Sequence, residues 1–377
     1  VKFRVERDVL ADAVAWTARS LPARPPVPVL AGLLLRAEGE QLTISGFDYE
    51  VSARSLAGAQ IEQEGSALVS GKLLAEIVRA LPNRPVEVGT DGSKVLLVCG
   101  SSRFTLQTMP VDDYPSLPDM PMASGAISGA SFAAAVAQVA VAAGKDDSLP
   151  FLTGVRVEIT GDTVRLAATD RYRLAVRELM WKPEQADAEA VALVPARTLN
   201  EIAKSLTSGE WVTIALASDK GAGQGLIGFE TGGRRTTTRL LEGEFIKYNA
   251  LFPAEYTGAA VIETSPLIEA VKRVALVAER NTPIRLSFST GEVTLEAGSG
   301  DEAQASETMD ADFDEADISL AFNPGYLLEG LGAIDAPFAQ LSYTTSTKPA
   351  VLTGRPAADA EHDPAYRYLI MPIRLSG

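Results

Sequence analysis

A lysine that follows a run of small residues is the first place to look for chemistry. Gly65-Ser-Ala-Leu-Val-Ser-Gly71-Lys72-Leu73 has the glycines and lysine of a phosphate-binding loop. In such a loop backbone amides cradle the phosphates and a hydroxyl holds magnesium. Here the first glycine stands too far back, and Leu73 occupies the hydroxyl position, so the stretch reads as a strand-to-helix turn. Gly221-Ala-Gly-Gln-Gly225 is dense in glycine but leads into a strand, whereas a dinucleotide fingerprint opens a helix. Asp112-Asp113 and Asp146-Asp147 are carboxylate pairs of a kind that holds divalent cations, and more often simply solvates a loop. The sole cysteine, Cys99, and the sole histidine, His362, lie far apart in the sequence. They leave little for a nucleophile–base pair and exclude a multi-cysteine or histidine-rich metal site. Serine, lysine and carboxylate mechanisms stay open on sequence, but no catalytic constellation, metal site or cofactor site is expected.

The elements that would position any site come next. At 377 residues the chain has room for two or three domains, and 46% hydrophobic residues are ample for packed cores. One cysteine excludes an internal disulfide framework and fits a reducing cytosol, so a cytoplasmic location is expected. The first residues, Val1 to Asp8, lack the apolar core of a signal peptide. The longest apolar run, Ala130 to Gly144, is too short to span a bilayer, so no membrane is expected. The net charge is −15, which argues against nucleic acid, since phosphate binders are usually basic.

Three stretches share one device. Ala168-Thr-Asp-Arg-Tyr-Arg-Leu-Ala-Val176 sets an aspartate between two strand-like runs, where its side chain folds back on the local backbone to make a tight turn. Similar hairpins are expected at Asp48 and Asp301. Around them, apolar spacing predicts helices over Asp8 to Leu21, Ser70 to Leu81, Ser131 to Gly144, Pro195 to Leu206, Ser265 to Glu279 and Asn323 to Leu331. Ser70, Ser265 and Asn323 read as N-caps, the last two followed by proline at the first helical position. The order helix, strands, Asp hairpin, helix, strands recurs three times. The fold class is therefore α+β: three repeated domains at 1–121, 122–253 and 254–377, each with two helices packed on antiparallel sheet. Met109 to Pro121 and Gly243 to Pro253 read as irregular connections.

Charge is distributed unevenly over this frame. The helices and their ends carry nine cations: Arg19, Lys72, Arg79, Lys145, Arg197, Lys204, Lys272, Arg273 and Arg280. They carry seven acids: Asp8, Asp12, Glu76, Glu201, Glu269, Glu279 and Glu329. If the helices share one face, that face is far less acidic than the rest. Such a face tolerates polyphosphate without gripping it.

Five segments resemble the bacterial DNA polymerase III β subunit family, the sliding clamps. They are Lys2-Phe-Arg-Val-Glu-Arg7; Arg24-Pro-Pro-Val-Pro-Val-Leu-Ala-Gly-Leu-Leu-Leu35; Ser102-Arg-Phe-Thr-Leu106 with Tyr114-Pro115; the Asp170 stretch; and Tyr368-Leu-Ile-Met-Pro-Ile-Arg-Leu375. The resemblance covers essentially the full length. It implies a non-catalytic processivity factor without cofactors: a head-to-tail homodimer forming a six-domain ring lined by twelve helices. Helices about 10 Å wide then enclose a clear diameter of roughly 28 Å, a loose fit for double-stranded DNA bound without sequence specificity. Topological linkage replaces tight binding and removes the objection from net charge. The cations expected to face DNA are Arg24, Lys72, Arg79, Lys145, Arg197, Lys204, Lys272, Arg273 and Arg280.

The resemblance also implies an outer peptide groove for short apolar motifs of the replicative polymerase α subunit, the clamp loader and repair proteins. By match to the family, its residues are Leu152, Thr169, Arg173, Leu174, Ile246, Leu251, Thr347, Pro349, Leu369, Ile370, Met371, Pro372, Ile373 and Arg374. Arg173 and Arg374 would anchor polar groups at its rim. Arg171-Tyr172 departs from the family, where many clamps have Gly-His, and so do Ile246-Lys247 and Asn249-Ala250. The dimer interface would use Arg103, Phe104 and Leu106 of one chain against Leu276 and Val277 of the other, with Arg103 meeting an acid near Glu296, Asp301 or Glu302.

Overall fold

The computed structural model describes residues 1–206, 211–216, 225–279, 282–298 and 303–374. Among these residues there are six α-helices: α1 (Arg7–Ala18), α2 (Gly71–Ala80), α3 (Gly129–Ala140), α4 (Ala196–Ser205), α5 (Thr264–Val274) and α6 (Pro324–Gly332). The remaining regular structure is antiparallel sheet and short 3-10 turns, so the α+β class holds. No described helix is long and apolar enough to cross a membrane. The apolar stripes whose spacing predicts these helices are buried. Leu74, Ile77 and Val78 of α2, Phe132, Val136 and Val139 of α3, and Leu199 and Ile202 of α4 all point inward.

The chain forms two compact units. One comprises Val1–Gly129, Lys182–Ala190 and Lys204–Leu240; the other comprises Ala130–Trp181, Val191–Ala203 and Leu241–Gly377. In the first, a fourteen-stranded sheet runs across the repeat, because strand Arg234–Arg239 pairs with Val51–Gly58. α1 and α2 pack beside each other, burying Leu10, Val14, Leu74 and Val78 in one apolar core. In the second there is an eight-stranded and a four-stranded sheet. Here the last strand, Tyr366–Ile370, lies between Arg173–Met180 and Ala350–Arg355. A terminal strand thus becomes a central one.

The aspartate hairpins form as expected where they are described. Asp48 Oδ1 accepts the amides of Glu50 at 2.9 Å and Val51 at 2.6 Å. Asp170 Oδ1 accepts those of Tyr172 at 3.0 Å and Arg173 at 3.1 Å. In both turns the residue after the aspartate is left-handed, Tyr49 at φ 74° and Arg171 at φ 79°. The carboxylate takes up the amides that this conformation frees. The third hairpin joins Glu292–Ala297 to Ala305–Asp310, but Asp301 itself lies outside the described residues.

Several expectations need correction. Ser70 and Asn323 do cap their helices, accepting from the amides of Leu73 and Tyr326. Ser265 does not; α5 begins one residue earlier, with Glu263 at the cap position, and Pro266 sits within the first turn where it costs no hydrogen bond. α5 stops at Val274 and tightens into a 3-10 turn, Ala275–Val277, instead of running to Glu279. α3 stops at Ala140, which leaves Lys145 beyond its end. Met109 to Pro121 is more than a connection: Tyr114 is buried, and Val111 and Leu117 pack on the same cluster with Leu30, Phe47 and Leu68. Burial pushes the Tyr114 phenol up to about 12.

Close approach at one glycine fixes the second unit. A Cβ on Gly330 of α6 would overlap the ring of Tyr368, which is fully buried on the last strand. The Gly330→Ala variant is expected to lose about 2 kcal/mol of stability by overpacking, measurable as a lower urea midpoint at unchanged slope.

Candidate peptide-binding site

The site is built on the Asp170 turn and on what the last strand brings to it. Arg173 opens the strand Arg173–Met180 and is only 3% exposed. Its Nε donates to Asp170 Oδ2 at 3.1 Å, and one terminal nitrogen pairs with Glu329 of α6. The same nitrogen lies 3.4 Å from Tyr368 Oη, and the guanidinium sits 4.3 Å from the centre of the Tyr326 ring. Tyr368 Oη donates in turn to the Tyr326 carbonyl at 2.8 Å. Burial alone would lower the Arg173 pKa, but Tyr368 and Glu329 outweigh it and hold the charge firmly. Burial pushes the Tyr368 phenol well up, so it stays a neutral donor. Arg173 is therefore no rim anchor, as the sequence reading had it. It is a buried tie between the turn and α6.

A pocket of about 510 Å³ lies over this tie. Its wall is Ala143 to Asp146, Leu149 and Leu152 on one side, and Asp170 to Arg173 with Tyr326 on the other. Tyr172 and Tyr326 stack with ring centres 6.3 Å apart, giving the pocket an aromatic face. Beside the same turn, Leu174, Leu369 and Val351 form an apolar cluster on three adjacent strands, joined by Phe245 and Tyr248, with Ile246 and Phe252 half-buried against it. Strand register explains the grouping. Leu369 faces Leu174 on one neighbour and Val351 on the other. Ile370, one residue on, pairs with Arg173 and Ala350, fully buried and outside the cluster, because successive side chains point to opposite faces. Ile370 is accordingly withdrawn from the groove surface.

The remaining expected groove residues divide by exposure. Thr169 is buried, donating to the Arg173 carbonyl at 2.6 Å and accepting from the Arg171 amide at 3.1 Å, so it shapes the turn rather than lining a surface. Leu251, Met371 and Ile373 are exposed apolar side chains, Pro349 and Pro372 are half-buried, and Thr347 and Arg374 are exposed. The segment after the last strand is held by the Met371 amide to the Tyr172 carbonyl at 2.9 Å and the Ile373 amide to the Ala321 carbonyl at 2.7 Å. Tyr326, Leu149, Val351 and Phe252 were missed. Val351 arrives by strand pairing, Tyr326 on α6, and Leu149 and Phe252 on loops, so local spacing does not announce them. A second pocket of about 540 Å³, among Ser131, Gln138, Ile334 and Tyr366, holds none of the expected residues.

The other expected residues lie elsewhere. Arg24, Lys72, Arg79, Arg197, Lys204, Lys272 and Arg273 are exposed; Arg280 lies outside the described residues. Arg197 pairs with Glu201 at 3.2 Å, Lys272 with Glu269 at 2.8 Å and Arg273 with Glu307 at 2.5 Å. Lys145 lines the pocket instead of a helix face. Leu106 is 2% exposed and belongs to the first unit's core, so it cannot meet another chain as expected. Phe104 at 38% and Leu276 at 84% are exposed, and Val277 is half-buried. Of the acids expected for Arg103, Glu296 is taken by Arg285 at 2.7 Å, while Asp301 and Glu302 lie outside the described residues. Among the described residues, no group of three His, Cys, Asp or Glu is placed to hold a metal ion.

Helices packed on antiparallel sheet in a recurring order, with a partly aromatic pocket beside the Asp170 turn, define the class as a repeated α+β protein. Three family descriptions match in series: DNA polymerase III beta subunit N-terminal domain over residues 1–118, central domain over 126–247 and C-terminal domain over 249–374. A beta sliding clamp of Streptomyces coelicolor is 68% identical over 377 residues, covering all of both chains. A beta sliding clamp homolog, GriR, of Streptomyces muensis is 48% identical over 374 residues, 99% of each chain. Among solved structures, the Pseudomonas aeruginosa DnaN sliding clamp bound to griselimycin superimposes with a TM-score of 0.91 at 28% identity, covering 99% of each chain. The Caulobacter crescentus pol III beta structure gives 0.89 at 26% identity over all of both chains. The chain belongs to the DNA polymerase III beta subunit family, the beta sliding clamps, which are non-catalytic processivity subunits in DNA replication.

Three substitutions test the turn. Arg173→Met strands Asp170 and Glu329 and is expected to cost about 3 kcal/mol in urea unfolding; Arg173→Lys restores less than half, lacking the planar fork and the stack on Tyr326. Arg171→Gly relieves a left-handed backbone and is expected to raise stability by about 1 kcal/mol.

Proposed function

We infer that this chain works as the cytoplasmic processivity clamp of a replicative DNA polymerase. Two copies close head to tail into a ring around duplex DNA. The ring slides without reading sequence and tethers the polymerase α subunit, the clamp loader and repair proteins through the groove beside the Asp170 turn. The three repeats divide near 121 and 253. The observation that carries this reading is the full-length identity of 68% to a beta sliding clamp.

Sheet edges supply the physical support for ring closure. Strand Ser102–Met109 bonds to Lys94–Cys99 along its length, but only Thr108 and Met109 reach Gly65–Ser70 on the other side. Ser102 to Gln107 is thus an open edge bearing exposed Phe104. In the second unit, among the described residues, strand Ala305–Asp310 pairs only with Glu292–Ala297 and ends its sheet. Two unpaired edges invite pairing with another chain, and a head-to-tail dimer covers both. Exposed Leu276 is an apolar anchor for such a contact. The Leu106 contact is replaced by Phe104 and backbone pairing. Paired, exposed helix cations such as Lys272 can trade a carboxylate for a passing phosphate at little net cost, which suits sliding.

Sedimentation at micromolar concentration tests the ring. A species of twice the 39.8 kDa chain mass is expected. The Phe104→Asp, Leu276→Asp double variant should sediment as a folded monomer. It should also lose retention on circular DNA after loading, where the unaltered protein is held until the circle is cut. A wild-type monomer that persists at high concentration overturns the ring.

A further inference from the structure

We propose that Lys145 and Arg171 make the pocket beside Tyr172 and Tyr326 selective for partner segments that carry a carboxylate next to their apolar anchor. The proposal rests on the reading of this pocket as part of a peptide site. Four charged side chains besides Arg173 line it: Lys145, Asp146, Asp170 and Arg171. Both acids are committed to the protein. Asp170 spends one oxygen on the amides of Tyr172 and Arg173 and the other on Arg173 Nε. Asp146 Oδ1 accepts the Ser148 amide at 2.9 Å, and hydrogen bonds from the Ser148 side chain and backbone hold its carboxyl below the ordinary range, with a smaller contribution from Arg171. Arg173 is buried and balanced by Asp170 and Glu329.

The two cations are held less firmly. Lys145 and Arg171 are exposed and form no ion pair among the described residues; Arg171 acts on Asp146 only at longer range. Arg171 contributes nothing to closing its turn through its side chain, because Asp170 and Thr169 do that through hydrogen bonds to the backbone. At φ 79° glycine would fit with less strain. An arginine there places a charge at the pocket mouth at the expense of local backbone comfort. Leu149, Leu152 and the stacked tyrosines line the same pocket and offer apolar and aromatic surface. Two exposed cations beside that surface complement an acidic residue next to a leucine or phenylalanine. The whole chain is −15, so its long-range field repels acidic segments. Selection must therefore act at contact range.

Calorimetric titration of the full chain with two capped octapeptides tests this. Both have the same Leu-Leu-Phe core, preceded by two Asp in one and two Asn in the other. Each exposed ion pair is worth a few-fold in affinity, so the Asp peptide is expected to bind about tenfold tighter at low salt. The ratio should fall towards one at high salt, where screening shortens to a few ångströms. Arg171→Gly with Lys145→Ala should bring the ratio close to one, and Arg171→Glu should favour the Asn peptide. Equal binding of the two peptides by the unaltered chain, or a preference that survives in the double variant, overturns the selectivity alone. Failure of both peptides to bind overturns the peptide-site reading and this proposal with it.

Discussion

The buried guanidinium of Arg173 is the constraint on which the site depends. A charge held away from water must be paired and hydrogen-bonded or it destabilises the fold. Here the partners come from three places in the sequence: Asp170 from the turn, Glu329 and Tyr326 from α6, and Tyr368 from the last strand. Two of these partners are themselves fixed. Asp170 is tied to two backbone amides, and Tyr368 donates to the carbonyl of Tyr326. The net contribution of such a network to stability can be small. Its contribution to geometry is not, since only one arrangement of turn, helix and strand satisfies every member.

That arrangement needs α6 to approach the last strand closely, and Gly330 permits it by leaving room for the Tyr368 ring. The strand then sits between neighbours from different parts of the chain, and its two-residue alternation sends side chains to two packed faces. Tyr368 and Ile370 are fully buried on one; Leu369, itself 3% exposed, packs with Leu174 and Val351 on the other. Beyond Ile370 the chain leaves the sheet, and Met371 and Ile373 become exposed at once. Under the proposed function, these exposed apolar side chains beside the sheet receive an extended apolar segment without reorganisation of the sheet.

Much of this was legible in the sequence where the cause is local. The Asp48 and Asp170 turns, the Ser70 and Asn323 caps and the inward faces of α2, α3 and α4 follow from side chains acting within a few residues. What failed depended on partners far along the chain. Arg173 looked like a surface cation because nothing near it in sequence besides Asp170 announces Glu329 or Tyr368. Leu106 was placed on an edge, yet alternation turns it inward against the N-terminal core. Lys145 was assigned to a helix that ends five residues earlier, after a run of alanines whose spacing gives no sharp stop. Ser265 lost the cap to Glu263 because the helix could start before its proline.

Charge shows the same division between local pairing and global balance. Three helix cations, Arg197, Lys272 and Arg273, carry an acid within ion-pair distance. Pairs exposed to solvent bind weakly, at about 0–1 kcal/mol each, and are screened by salt. They stabilise the fold little, but they set the local field near neutral inside a chain of −15. A strongly basic surface would hold a phosphate chain in place through many released counterions. A strongly acidic one would exclude it. Cations with a carboxylate in reach stand between these limits, so the acid beside each cation limits how long any one phosphate is held. In the proposed ring, retention then comes from closure rather than from affinity, and the edge at Ser102 to Gln107 matters more to that function than any single cation.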